Sequence, residues 1–359
     1  MKPGAIVVVG AKGAGWARET VAPAGTIQTD MTAEPLACVE VAGRCALERS
    51  IERYLQADVD VVSLLLEAES NSSYRVPHFR SCFKNVKVQV VNDLATAITQ
   101  TLSEYSQSGV DHSFVSAADT YAETDLLDFF YFHREARQAI TRSYDRGGPL
   151  DLGVVDCAQA QRFVPDGLSD RGECGGAAYF IRGYSIRLHH PRDLRQLATD
   201  LLRGKCESGP SGREIRPGVW VDEGADIHRR ARIVAPAYIG CGAKVLEDAL
   251  VTRFSCIERD CCIDCGTVIE DSSILANTHV GIWLDVCHAV VKGNRMLSLG
   301  RDVMIEISDS SLMRSNLSLR KAGAETNKKE QRRVSDADRR KPLPAPEVWQ
   351  FGANFIQEQ

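Results

Sequence analysis

The chain has 359 residues, 44% of them hydrophobic and 25% charged, with a formal net charge of −5. That length suggests two domains and a tail, and so ordinary a balance excludes collagen-like, fully disordered and membrane-spanning classes. The mildly acidic charge gives no reason to expect nucleic acid as a partner, and 12 cysteines spread along the chain read as reduced thiols of a cytoplasmic protein.

Ala5 to Val9 is an apolar run that stops at glycines. It is too short for a secretory leader and predicts a buried first strand. Further strands are predicted over 59–66, 86–91 and 113–116, and helices over 46–56, 94–106, 126–140 and 192–202. The alternation predicts an α/β domain over residues 1–208, with a mostly parallel sheet covered by helices on both faces. Ligands of such sheets bind beyond the carboxyl ends of the strands, where Gly10, Gly13 and Gly15 follow the first strand. Their spacing matches neither G-x-G-x-x-G nor a P-loop. They either lend backbone N–H groups to a phosphate or form a plain tight turn.

From Ile215 an aliphatic residue recurs at every sixth position: Ile215, Val221, Ile227, Ile233, Ile239, Val245, Val251, Ile257, Ile263, Ile269 and Leu275. A second column, four residues later, is nearly all small: Val219, Ala225, Ala231, Ala237, Ala243, Ala249, Ser255, Cys261, Thr267 and Ser273, ending at His279. Neither helical nor strand periodicity produces this. It fits a coil of three short sides, with large residues inward and small ones near the corners. The segment resembles the hexapeptide repeats of left-handed parallel β-helices; the handedness is taken from that resemblance. The β-helix and a cap are expected over 209–312. Beyond Val280 the register continues only as Gly281, Cys287 and Gly293.

Two chemical readings of the repeat are weak. Cys256, Cys261, Cys262 and Cys265 include a C-x-x-C spacing, but the register aims these thiols in different directions, with Cys256 and Cys262 at corners. His228, His279 and His288 invite comparison with β-helix acyltransferases, yet no long loop interrupts the coils, and structural histidines are the plainer reading. Residues 313–359 read as a largely disordered tail, basic and polar over 320–341, with Trp349, Phe351 and Phe355 as a candidate anchor.

The stretch PLACVEVAGRCALERSIERYLQADVDVVSLLLE (35–67) resembles the sugar-1-phosphate nucleotidyltransferases, in which P-L-x-x-V-x-G-x-P-x-L-E-x-x-I-E-R leads into a strand. FVSAADTYAETDLLDFFYFHREARQAIT (114–141), GVVD (153–156), GGAAYF (175–180) and GYSIRLHHPRDLRQLATDLLRG (183–204) follow in that family's order, and a hexapeptide β-helix follows them, as in mannose-1-phosphate guanylyltransferases. The resemblance implies a Rossmann-like nucleotidyltransferase domain ahead of the β-helix. It also implies a reaction in which a sugar 1-phosphate attacks a nucleoside triphosphate and releases pyrophosphate, usually with Mg²⁺. It implies a glycine loop (Gly10, Gly13, Gly15) for nucleotide, Gly176 and Tyr179 for sugar, and Asp119 as the G-D aspartate that holds the metal.

Several positions depart from the family pattern. The glycine loop lacks G-T-R, leaving Lys12 or Arg18 as candidate substitutes away from the matching position. Glu34 stands where the family has the lysine of P-K-P, and Arg187 stands where it has its second metal aspartate. Asp119 alone makes a poor Mg²⁺ site and is otherwise a solvated loop carboxylate, whereas the guanidinium of Arg187 is suited to phosphate oxygens. The expected function is therefore a nucleotidyltransferase-like protein with weak or lost catalysis. The alternative is a non-catalytic sugar-nucleotide-binding or regulatory subunit, and a β-helix acyltransferase ranks lower. Homo- or hetero-oligomerisation through the β-helix is expected, because terminal coils leave strand edges that need covering.

Overall fold

Five consecutive apolar residues in strand β1 (Gly4–Val9) serve two cores at once, because successive side chains point to opposite faces. Ala5, Val7 and Val9 pack with Leu47 and Ile51 of helix α1 (Ala46–Gln56), while Ile6 and Val8 pack with Leu102 and Tyr105 of helix α2 (Leu94–Gln107). The computed structural model describes residues 2–10, 31–32, 34–68, 86–162 and 176–316. Lys12, Gly13, Gly15, Arg18 and the expected tail from residue 317 onward lie outside the described residues.

β1 pairs in parallel with β2 (Val61–Glu67), β2 with β3 (Val86–Val91), and the other edge of β1 with β4 (His112–Ala117). After β5 (Thr120–Ala122) comes helix α3 (Leu126–Ala136), then β6 (Ile140–Asp145) and β7 (Gly148–Asp156). β8 (Ala177–Phe180) completes a seven-stranded sheet of order β8-β6-β7-β4-β1-β2-β3, parallel except where β7 runs antiparallel to β4 and β6. Outside this sheet, β9 (Ser185–Arg187) pairs antiparallel with β5 and leads into helix α4 (Pro191–Leu202).

Helix α3 is shorter than the sequence predicts. Asp125 caps its start by accepting from Leu127 N and Asp128 N, both at 3.0 Å. It stops at Ala136 because Arg137 turns left-handed (φ 49°) and β-branched Ile140 and Thr141 join the sheet opposite Val155 and Val154. Near the β5–β9 pair the backbones approach so closely that only glycine fits at 183. A Cβ there would lie 1.6 Å from the Glu123 carbonyl oxygen. Gly183→Ala is expected to cost about 2 kcal/mol, read as a lower urea midpoint.

From Val219 the chain visits three ladders in turn. The first stacks Val219–Val221, Ala237–Ile239, Ser255–Ile257, Ser273–Ile274 and Ala289–Lys292 in parallel. The second stacks Asp226–Ile227, Lys244–Val245, Cys262–Ile263 and Thr278–Val280. The third stacks Arg232–Ile233, Leu250–Thr252, Val268–Glu270 and Asp285–Cys287. Ile233, Ile239, Val245, Val251, Ile257, Ile263 and Ile269 fill one core together with Ala237, Ala243, Ala249 and Cys261, as their six-residue spacing predicts.

The register departs from the sequence prediction at both ends. Ile215 is 53% exposed, on a strand (Arg213–Arg216) that folds back antiparallel on Val219–Val221. The stacking interval is 18 residues from Val219 to Ala237 and on to Ser255, then 17 from Cys256 to Ser273 and from Cys262 to His279. One missing residue flips every later side chain to the opposite face. The inward residues are therefore Ile274, Val280 and Val286 rather than Leu275, Gly281 and Cys287. Leu275 instead packs with Leu194 and Leu197 of α4, and Ser272 and Thr278 take the small-residue positions expected for Ser273 and His279, which are buried on the other face.

The ladders also carry their own covering strands. The meander Arg295–Ser298 and Val303–Glu306 runs antiparallel along the end of the first ladder, and Met313–Ser315 pairs antiparallel with Thr278–Val280 on the second. Ordered strand therefore continues past 312, where the tail was expected to begin. At the far end these strands cover the first and second ladders and leave the third, Asp285–Cys287, as an edge.

Charged side chains join the ladders to the α/β layer. Arg259 holds Glu40 through Nε and Nη2, the shortest contact being 2.7 Å. Arg195 of α4 donates to the Phe254 and Asp271 carbonyls and to the Asp271 carboxylate. Glu258, fully buried, accepts from the N–H groups of Ala42 (2.7 Å) and Gly43 (3.0 Å).

Candidate functional site

The carboxyl ends of adjacent parallel strands β1 and β4 lead into Gly10 and Asp119, and the Ala118 N–H donates to the Val8 carbonyl at 2.8 Å. This is where open α/β sheets bind ligands. Asp119 sits in the turn between β4 and β5, fixed by its carbonyl accepting from Leu188 N at 2.7 Å. Its side chain is only 12% exposed, and both carboxylate oxygens are buried without a hydrogen-bond partner among the described residues. The half-exposed His189 places Nε2 3.8 Å from Oδ2. Burial raises the Asp119 pKa, and His189 offsets part of that rise. Such a carboxylate is expensive to keep ionised, and both its oxygens are free to accept from a ligand.

Arg187, in β9 opposite Thr120, does not point a free guanidinium at this place. Its Nη1 and Nη2 each lie 3.0 Å from one oxygen of Asp145, and Nη2 also donates to the carbonyls of Gly148 and Pro149. Asp145 further accepts from Ser185 Oγ at 2.8 Å and Gly147 N at 2.7 Å. Burial works to raise the pKa of Asp145, but the Arg187 and Ser185 hydrogen bonds outweigh it and hold that carboxyl below the usual range. Both terminal nitrogens of the guanidinium are thus engaged, in a bidentate pair with a charged carboxylate.

The remaining candidates are dispersed. Gly176 is exposed just before β8. Tyr179 faces the core: its ring stacks on Phe129 at 4.4 Å, and its hydroxyl donates to Asp128 at 2.6 Å. It is therefore a packing residue, which its place two residues into a strand obscured. Glu34 lies 3.4 Å from Nζ of Lys292, so its charge faces a lysine of the first ladder.

No family model matches the chain, and no curated protein is similar enough to count as a match.

The metal implied by the resemblance can be tested on these residues. A Mg²⁺ ion takes hard oxygen ligands in near-octahedral geometry, usually one or two carboxylates plus phosphates and water. Asp119 supplies one orphaned carboxylate, but the position of the second holds a cation already spent on Asp145. Among the described residues Asp119 belongs to no cluster of three ligating groups. The residues present do not fit a two-aspartate magnesium site.

The four cysteines do not converge either. Cys261 directs Sγ at the Ile274 and Leu275 carbonyls inside the coil, and Cys256 is buried on the side facing α4. Cys256 and Cys262 lie on strands rather than at corners. The histidines make local bonds: His228 Nδ1 accepts from Arg230 N at 3.3 Å, His279 meets Asp264, and His288 meets Asp271. Sequence reasoning missed Asp145 and His189. Nothing in the spacing of Asp145 marked it as the partner of Arg187, whereas His189 stands two residues from a position already under scrutiny.

Proposed function

We propose that this chain is a sugar-1-phosphate nucleotidyltransferase-like protein whose transfer reaction is weak or lost, acting as a sugar-nucleotide-binding or regulatory subunit. In this reading the three ladders are the coils of a left-handed β-helix; the 18-residue interval and inward aliphatic column support that. The observation that carries the functional reading is the engagement of Arg187 by Asp145. A transferase must offset repulsion between two phosphates with mobile positive charge or metal. Here that guanidinium is neutralised, and Glu34 replaces the cation expected opposite.

Binding survives the same changes. Asp119, with two unpaired oxygens at the strand ends, is suited to accept from the hydroxyls of a ribose or hexose, an interaction that needs no metal. The ordinary helix-on-sheet scaffold around it holds that carboxylate in place without help from a ligand.

The test is a pyrophosphate-release assay over a panel of nucleoside triphosphates and sugar 1-phosphates, with and without Mg²⁺, run beside calorimetric titration with nucleotide sugars. Heat of binding without pyrophosphate release is the expected result. Mg²⁺-dependent release that vanishes in Asp119→Ala would make the chain an active transferase. Absence of both binding and release would sink the ligand-binding reading.

A further inference from the structure

We propose that Cys262, Asp264 and His279 form a binding site for one divalent transition metal of the zinc class on the outer face of the second ladder. Cys262 and His279 are parallel-strand partners one coil apart, so their side chains stand side by side on the same face. Asp264 follows two residues after Cys262, and its N–H donates to the Val280 carbonyl at 3.0 Å, which fixes it beside the histidine. His279 Nε2 lies 3.0 Å from Asp264 Oδ2, and Cys262 Sγ lies 3.7 Å from Asp264 Oδ1. The three ligand atoms lie within 4.8 Å of one another. Bonds of about 2.0–2.3 Å in a tetrahedron place ligand atoms roughly 3.3–3.8 Å apart, so little movement is needed to admit the ion.

The donor set identifies the class of ion. A thiolate, an imidazole and one carboxylate suit zinc and its neighbours in the first transition row, and are a poor match for Mg²⁺ or Ca²⁺. His279 is held in place for this role: it is only 6% exposed, its Nε2 is turned to Asp264 at 3.0 Å, and its Nδ1 has no hydrogen-bond partner among the described residues.

Charge is consistent with the assignment. Lys244 and Arg314 flank the triad, in register with Cys262 and His279 respectively. Binding releases the Cys262 thiol proton, after which one thiolate and one carboxylate cancel the dication. The filled site is neutral and adds no net charge for those cations to repel. Cys262 and Asp264 are partly exposed, so a water completes the fourth position. Because Cys262 and Asp264 belong to one coil and His279 to the next, the ion clips two successive coils together.

The site is tested by titrating the metal-depleted full-length chain with Co²⁺. One equivalent is expected to give tetrahedral d–d bands with a thiolate-to-cobalt charge-transfer band, and Zn²⁺ is expected to raise the melting temperature. Cys262→Ser should abolish the charge-transfer band, and Cys262→Ser or His279→Gln should weaken binding about 100-fold. Cys241→Ser and Cys287→Ser, at exposed thiols elsewhere on the ladders, should bind as the parent does. Asp264→Asn, with circular dichroism to confirm folding, replaces any variant that fails to fold and should also weaken binding. An unchanged cobalt spectrum in Cys262→Ser, or no charge-transfer band in the parent chain, overturns the site.

Discussion

Glu258→Ala is expected to destabilise the chain by about 3 kcal/mol at pH 5, measured by urea unfolding. The substitution leaves the Ala42 and Gly43 N–H groups buried and unpaired, each at a cost of about 1–3 kcal/mol. The pH dependence is the sharper part. Burial pushes the Glu258 carboxyl from 4.5 up to about 7, the two N–H donors opposing that rise only partly. Below about pH 4.5 the carboxyl is protonated in both folded and unfolded chains. Between there and about 7 the folded chain binds the extra proton, so its stability falls as pH rises, by about 3 kcal/mol across the window. Glu258→Gln should flatten that slope, and the deficit of Glu258→Ala should shrink toward pH 8. A parent chain equally stable at pH 5 and 8 with respect to this residue, judged by the Gln variant, would refute the argument.

Asp119→Asn is expected to act in opposite directions on stability and on binding. Removing a buried charge that accepts no hydrogen bond among the described residues, with only His189 at 3.8 Å to offset it, should stabilise the free chain by about 1–2 kcal/mol at pH 8. Because the folded pKa of Asp119 is raised, the charged form disfavours folding. The gain in the Asn variant should therefore grow as pH climbs through the raised value and disappear at pH 3. Affinity for a nucleotide sugar should fall about 100-fold, since an amide offers one acceptor where the carboxylate offers two. Both are read from one set of thermal melts with and without ligand: the variant melts higher alone and gains less on ligand addition. A variant that melts lower than the parent without ligand would mean that Asp119 already has a stabilising partner.

Much of this architecture was legible because periodicity is a direct imprint of geometry. The first strand, helix α1 and the aliphatic column from Val221 to Ile269 follow from where apolar residues must face. The phase slip after Ile269 was also written in the chain, as Ile274, Val280 and Val286. It was hidden because Leu275 kept the old spacing, and Leu275 is apolar only because it meets α4. The same ambiguity concealed Glu258: a period marks a residue as outward without saying whether solvent or another layer lies outside. The candidate site was legible by position and not by state. Asp119 could be placed, but its unpaired oxygens and the capture of Arg187 by Asp145 depend on strands brought together from more than forty residues away.

The covering strands have a consequence for growth. Parallel coils are natural templates for end-to-end polymerisation, since each exposes a row of backbone donors and acceptors to the next. Arg213–Arg216 at one end, and the meander with Met313–Ser315 at the other, turn those rows antiparallel and out of phase with a further coil. Among the described residues, two of the three sides at the far end and one at the near end are covered in this way, so simple continuation of the stack by another copy would lack its pairing strands there.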